Sequence, residues 1–152
     1  MSKKAEILQN TPYYYSLIDC VEEHKAKGIK IEKIIDINYS NKYYNFYYLK
    51  KKYGEQLFGI EYIKIPLKPK ELPTRKELNR IYDILNKNIS KKQYILIHCT
   101  HGVSRTGYVI IYFLCKRFEM SLDRAIQVFE KSRGHKFDNE TLINDLKQKI
   151  KI

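Results

Sequence analysis

Apolar and polar positions divide the second half of this chain into clear segments. Residues 94–97 are a short apolar run, residues 98–107 are small and polar, and residues 108–118 are apolar again over a longer stretch. A short run, a polar interruption and a long run predict a strand, a tight loop and a helix. Upstream, residues 15–27 predict a helix with Leu17, Ile18 and Val21 on one side and Gly28 ending it. Residues 34–37 predict a buried strand, and residues 59–65 alternate as a second strand does. Pro66, Pro69 and Pro73 impose an irregular loop, because proline restricts itself and the residue before it.

Thr74 with Glu77 three residues later forms a capping box for a helix whose apolar face is Leu78, Ile81, Tyr82 and Leu85. Residues 94–98 are the expected central strand. Ser121 opens a further helix carrying Leu122, Ala125, Ile126 and Phe129, and Gly134 closes it. A last helix starts from Asp138 with Leu142, Ile143, Leu146 and Ile150. Strands that alternate with helices, then a helical final third, predict an α/β domain with its sheet covered on both sides.

Composition bounds this picture. A length of 152 residues, 43% of them hydrophobic, fits one domain, residues 1–152, with one core. The net charge of +12 points to a polyanionic partner, RNA or DNA first, although a lysine-rich solvated surface explains the charge equally simply. Cys20, Cys99 and Cys115 lack metal-ligand spacing, which favours free thiols in a reducing compartment. Residues 1–10 hold no signal-peptide core, and the longest apolar run, residues 108–115, is too short to span a membrane. A soluble intracellular protein is expected, nuclear or cytoplasmic, with no membrane association and no metal or other cofactor.

The polar interruption carries the chemistry. It reads His98, Cys99, Thr100, His101, Gly102, Val103, Ser104, Arg105, Thr106, Gly107. A loop entering a helix N-terminus offers free N–H groups and the positive end of the helix dipole, so it binds anions. Cys99 there is expected to have a lowered pKa and to react as thiolate. Backbone N–H groups from Thr100, His101, Gly102, Val103, Ser104 and Arg105 can cradle phosphoryl oxygens, and Gly102 permits the turn. Arg105 can bind two of those oxygens with its planar fork. Cys99 would attack phosphorus and water would hydrolyse the thiophosphate, with the Thr106 hydroxyl donating to the departing thiolate. His98 is expected to stand behind the loop and hold its backbone. Cys20 and Cys115 read as packing thiols.

These residues resemble the motif of the cysteine-dependent phosphatases, His-Cys, five residues, then Arg-Ser/Thr. Cys99-Thr100-His101-Gly102 followed by Arg105-Thr106-Gly107 is similar to one branch in particular, the metal-independent RNA 5′-triphosphatases. That branch contains the triphosphatase domain of capping enzymes and the baculovirus RNA phosphatase. Ile35-Asp36-Ile37 with Lys42-Tyr43-Tyr44, the strand 62–65 with Pro73, and Arg133-Gly134-His135 with Leu146 also resemble it. The resemblance implies the cysteine-phosphatase fold, with a central mixed sheet flanked by helices and the phosphate loop between a strand and a helix. It implies hydrolysis of the terminal phosphoanhydride of an RNA 5′-triphosphate end, with the diphosphate end and free nucleoside triphosphates as further substrates.

Two departures favour other readings. Ser104 stands where the RNA branch has Asn, and Val-Ser-Arg is how dual-specificity protein phosphatases often read. Asn139 stands where some relatives carry an arginine for a second phosphate, a contact Arg133 or Lys136 would then supply. The protein phosphatases use an upstream aspartate as general acid to protonate an alkoxide or phenoxide. Between Tyr39 and Tyr82 this chain has no aspartate, and the proline-rich loop carries only Glu71; Asp83 falls on the next helix. A phosphoanhydride leaves as a stable anion and needs little protonation, so the missing aspartate favours anhydride substrates. Lys68 and Lys70, with Lys64, Arg75 and Lys76, would steer a charged RNA end. The tyrosines of residues 39–53 either stack on bases or pack. The expected activity is thus an RNA 5′-triphosphatase, with a dual-specificity protein phosphatase and an inactive phosphate-binding module as alternatives.

Overall fold

A computed structural model describes residues 16–40, 44–99 and 104–151. In chain order its elements are α1 (Leu17–Ala26), β1 (Ile31–Asp36), α2 (Phe46–Lys52), β2 (Glu61–Lys64), α3 (Arg75–Ser90), β3 (Tyr94–His98), α4 (Ser104–Phe118), α5 (Leu122–Arg133) and α6 (Glu140–Ile150). The helix starts follow from local side chains that satisfy otherwise unpaired N–H groups. Ser16 with Asp19, and Thr74 with Glu77, form reciprocal capping boxes. Ser121 caps α5, and Gly134, at φ 71°, ends it in the left-handed conformation that glycine accepts most readily. The last helix begins at Glu140, two residues later than expected, because Asn139 is its cap and accepts from the Leu142 N–H.

Two expectations about the sheet are corrected. The strand order is β2-β1-β3, so β1 is central and β3 lies at an edge of the described sheet. All three described strands are parallel rather than mixed. The cause is topological: α2 lies between β1 and β2, and α3 between β2 and β3, and a helical crossover returns the chain to the same end of the sheet. The helix α2 itself lies in the tyrosine-rich stretch to which no element was assigned.

Each face of the sheet carries its own layer. Ile34 faces Val21 of α1 and Phe46 and Leu49 of α2, together with Leu57 and Ile60. Ile35 and Ile37 face the larger core built by α3, α4, α5 and α6. In that core α4 is buried almost all round, as a helix apolar on every side should be. Gly107 lets it sit there: a Cβ at that position would lie 2.9 Å from the Phe137 ring and 3.0 Å from that of Phe129. No helix among the described residues is long and apolar enough to cross a membrane.

Register decides what meets at the functional end. Asp36, the last residue of β1, pairs with Lys64 of β2 on one side and with His98 of β3 on the other. Three polar side chains therefore line up at the carboxyl ends of three parallel strands, the end where open α/β sheets place their ligands.

Candidate active site

Cys99 follows β3 directly and is 8% exposed. Thr100, His101, Gly102 and Val103 lie outside the described residues, and Ser104 then opens α4 on the surface. Arg105 is partly buried and donates from Nη1 to the Leu67 carbonyl at 3.0 Å. That bond ties the arginine to the proline-rich loop. Thr106 is 3% exposed, and its hydroxyl has no hydrogen-bond partner among the described residues. A buried hydroxyl left unpaired is costly.

Behind Cys99 stands a buried polar network. The Tyr44 hydroxyl lies 2.7 Å from His98 Nε2. Burial pushes the His98 pKa down from its ordinary value; nearby Asp36 opposes this, Lys64 adds to it, and a backbone hydrogen bond with Cys99 opposes it. A hydrogen bond that favours the protonated ring is one in which the ring donates. Neutral imidazole has one donor and one acceptor nitrogen. Nδ1–H therefore serves the Cys99 backbone, and Nε2 accepts from Tyr44. Burial also raises the Tyr44 pKa, with Asp36 and Tyr62 adding to the effect, so Tyr44 stays a neutral donor.

Asp36, 3% exposed, anchors the rest. Its Oδ2 accepts from Tyr62 Oη at 2.6 Å and from Lys64 Nζ at 3.1 Å, and its Oδ1 accepts from the Asn38 N–H at 3.0 Å. Lys64 also donates to the Ser40 carbonyl at 3.0 Å, which fixes the chain as it leaves β1. Burial and the Asp36 carboxylate together raise the Tyr62 pKa.

The remaining candidates sit on two connections around this end. Lys68, Lys70 and Glu71 are exposed on the loop that begins at Leu67, and Asp83 is exposed on α3. Lys70 holds a left-handed conformation at φ 63°. The far end of the same loop is tied down at Pro73, whose carbonyl accepts from Lys149 Nζ of α6 at 2.6 Å. Arg133 ends α5 and Lys136 lies on the turn between α5 and α6; both are exposed. Lys136 lines a shallow cavity of about 280 Å³ with Glu130, Lys131, Gly134 and His135. That turn is docked on the start of α4: Phe137 is buried against Gly107, and its N–H donates to Glu130 Oε2 at 2.8 Å.

Cys115 is buried in α4, where burial raises its pKa, and Cys20 on α1 lies 3.7 Å from His24 Nδ1. Neither adjoins an arginine in the way Cys99 precedes Arg105. Sequence reasoning did not single out the roles of Tyr44, Asp36 and Tyr62. The signal that finds them is positional, since polar residues at the carboxyl ends of adjacent parallel strands converge.

Residues 13–151 match the profile described as dual specificity phosphatase, catalytic domain. The chain belongs to the dual specificity phosphatase family. Its similarity to individual family members is distant. It is 28% identical to the RNA/RNP complex-1-interacting phosphatase of Rattus norvegicus, over 98% of this chain and 45% of that protein. It is 31% identical to a tyrosine-protein phosphatase of Autographa californica nuclear polyhedrosis virus, over 82% of this chain and 72% of that protein. It is 29% identical to the mRNA-capping enzyme of Mus musculus, over 72% of this chain and 18% of that protein. The chain thus spans less than half the length of the rat relative.

Solved structures bear out the dual specificity phosphatase fold. The active form of Tk-PTP superposes with a TM-score of 0.69 at 17% identity, over 88% of this chain and 86% of that one. DUSP15 superposes with a TM-score of 0.66 at 16% identity, over 88% of this chain and 78% of that one. The fold class read from the sequence holds, with the sheet wholly parallel in its described part.

Proposed function

We propose that this phosphatase hydrolyses the terminal phosphoanhydride of RNA 5′-triphosphate ends, and that the diphosphate end is a second substrate. Cys99 thiolate attacks the γ-phosphorus, forming an S–P bond while the bridging O–Pγ bond breaks. The RNA diphosphate departs with the bonding electrons. Water then attacks the thiophosphate, the S–P bond breaks, inorganic phosphate leaves and the thiolate returns. Arg105 clamps the equatorial oxygens, where positioning and electrostatics do most of the work. The unpaired Thr106 hydroxyl donates to the thiolate as it leaves. The N–H groups of Thr100, His101, Gly102, Val103 and Ser104 hold the phosphoryl group. Lys68 and Lys70, with Arg133 and Lys136, take the remaining charge. No step needs a metal.

The observation that carries this reading is the loop pinned between Leu67 and Pro73. Its one carboxylate, Glu71, is exposed, and it holds no aspartate. The buried carboxylate at this end of the sheet, Asp36, has both oxygens engaged as acceptors. An alkoxide or phenoxide leaving group needs a proton donor that these residues do not offer, and a phosphoanhydride does not need one. The names of the rat and mouse relatives, which refer to RNA, support the same reading.

The second reading, a protein phosphatase, is favoured by Ser104 before Arg105 and by the name of the viral relative. Turnover of triphosphate-ended RNA, free nucleoside triphosphate and a phosphotyrosine peptide, each with chelator, separates the two. RNA should be turned over fastest. Faster turnover of the peptide, slowed by Glu71→Gln, establishes the protein phosphatase instead.

A further inference from the structure

Three tyrosines near the candidate site are left largely in water. Tyr39, Tyr47 and Tyr48 are 53%, 74% and 49% exposed, although Phe46 and Leu49 beside them are buried. The places of Tyr47 and Tyr39 are set by the network behind Cys99. The Tyr47 ring contacts that of Tyr62 at 6.4 Å, Tyr62 contacts Tyr44 at 6.1 Å, and Tyr44 contacts His98 at 5.6 Å. Tyr39 precedes Ser40, whose carbonyl is held by Lys64. Tyr39 and Tyr47 are thus mounted on this network, and Tyr48 follows Tyr47 on α2 with its ring half exposed. Phe58, also exposed, precedes the start of β2 at the opposite end of the parallel sheet and does not belong to this set.

We infer that Tyr39, Tyr47 and Tyr48 form a stacking platform for the first unpaired bases of an RNA whose 5′ phosphates occupy the Cys99 site. The inference rests on the RNA-end reading above and names how the nucleotides beyond the phosphates are held. The partner's chemistry follows from two properties of the surface. Aromatic faces accept any base, since every base has a π-face, and this makes recognition tolerant of sequence. Lys50 and Lys51 follow on the exposed side of α2, where they complement a phosphodiester backbone. Single strands suit this surface because their bases can be splayed out and stacked, whereas bases in a helix are already stacked on each other.

The test is the double variant Tyr47→Ala/Tyr48→Ala, at exposed positions that leave the core intact. Three measurements are made: kinetics on a single-stranded oligoribonucleotide with a 5′ triphosphate, kinetics on inorganic triphosphate, which carries no base, and anisotropy binding of the same oligonucleotide with a 5′ hydroxyl. The platform predicts a rise in KM of about tenfold for the triphosphate RNA and a similar loss of affinity for the hydroxyl RNA. Inorganic triphosphate kinetics stay unchanged, and Tyr47→Phe/Tyr48→Phe behaves as wild type because the ring, not the hydroxyl, stacks. Unchanged RNA KM and unchanged RNA binding in the alanine variant overturn the platform and leave the RNA-end reading intact. If wild type hydrolyses neither RNA nor inorganic triphosphate, the RNA-end reading fails. The binding arm then decides alone: lost affinity upholds the platform, and equal affinity removes it.

Discussion

The Tyr44 hydroxyl lies 2.7 Å from His98 Nε2, so a residue far upstream in sequence holds the ring next to Cys99. With Nδ1–H engaged by the Cys99 backbone, Nε2 is left to accept from Tyr44. Tyr44→Phe removes the O–H and keeps the ring. Loss of one buried hydrogen bond costs about 1 kcal/mol of stability. Because the loop's backbone is then less firmly held, kcat should fall several-fold with little change in KM. Denaturant unfolding and steady-state kinetics check both. A wild-type kcat in a destabilised variant would reduce Tyr44 to a packing role.

The same ring sets a pH dependence of stability. Burial holds the folded His98 below its ordinary value of 6.5. As pH falls through that value the unfolded chain takes up a proton that the folded chain refuses. The unfolded state then binds more protons, so stability drops from about pH 6.5 toward the folded pKa, and this group adds no slope above 6.5. Comparing Tm against pH for wild type and His98→Asn isolates this group. The wild-type curve should lose stability below 6.5 relative to the variant. Parallel curves would mean that His98 protonates freely in the fold.

Gly107 is retained for packing, not for its backbone angles. Gly107→Ala pushes a methyl against Phe137 and Phe129, and overpacking of this kind costs about 1–3 kcal/mol. The Tm should fall. Because Phe137 anchors the turn that carries Lys136, activity at permissive temperature should fall as well. A variant as stable as wild type would show that the two rings yield easily.

Lys149 links the last helix to the loop over the site. Its Nζ donates to Asp145 Oδ2 at 2.6 Å, to Tyr108 Oη at 3.0 Å and to the Pro73 carbonyl, and Tyr108 donates to the same carboxylate. Burial alone would raise the Asp145 pKa, but the bonds from Lys149 and Tyr108 hold it below its usual value. Lys149→Met strands a mostly buried carboxylate and frees one end of the loop, at a cost of about 3 kcal/mol. Lys149→Met/Asp145→Asn should cost less than the sum of the two single changes, because each single change already breaks the pair. Strict additivity in denaturant melts would contradict the coupling.

Much of this was legible from local chemistry. Thr74 with Glu77, Ser121 and Gly134 mark helix ends because their signals lie within one turn of the chain. The succession of strand, polar loop and apolar helix around Cys99 is equally local. The sheet's internal order was not legible, since β1 and β3 are both short apolar runs and only pairing makes β1 central. The helix α2 was hidden because only Phe46 and Leu49 point inward among tyrosines and lysines, too few to set a period. The network behind Cys99 depends on register. Asp36, Lys64 and His98 become neighbours only once three strands are aligned, and Tyr44 only once α2 is docked beside them.

The central claim is that Cys99 takes the γ-phosphate from an RNA end. It is tested most directly with an RNA labelled in its γ-phosphate, mixed with enzyme in chelator and quenched within one turnover. The account predicts label on the protein, mapped to Cys99, absent in Cys99→Ser and longer-lived in Thr106→Ala. Unlabelled protein and intact RNA, from an enzyme that turns over a phosphotyrosine peptide rapidly, would contradict it.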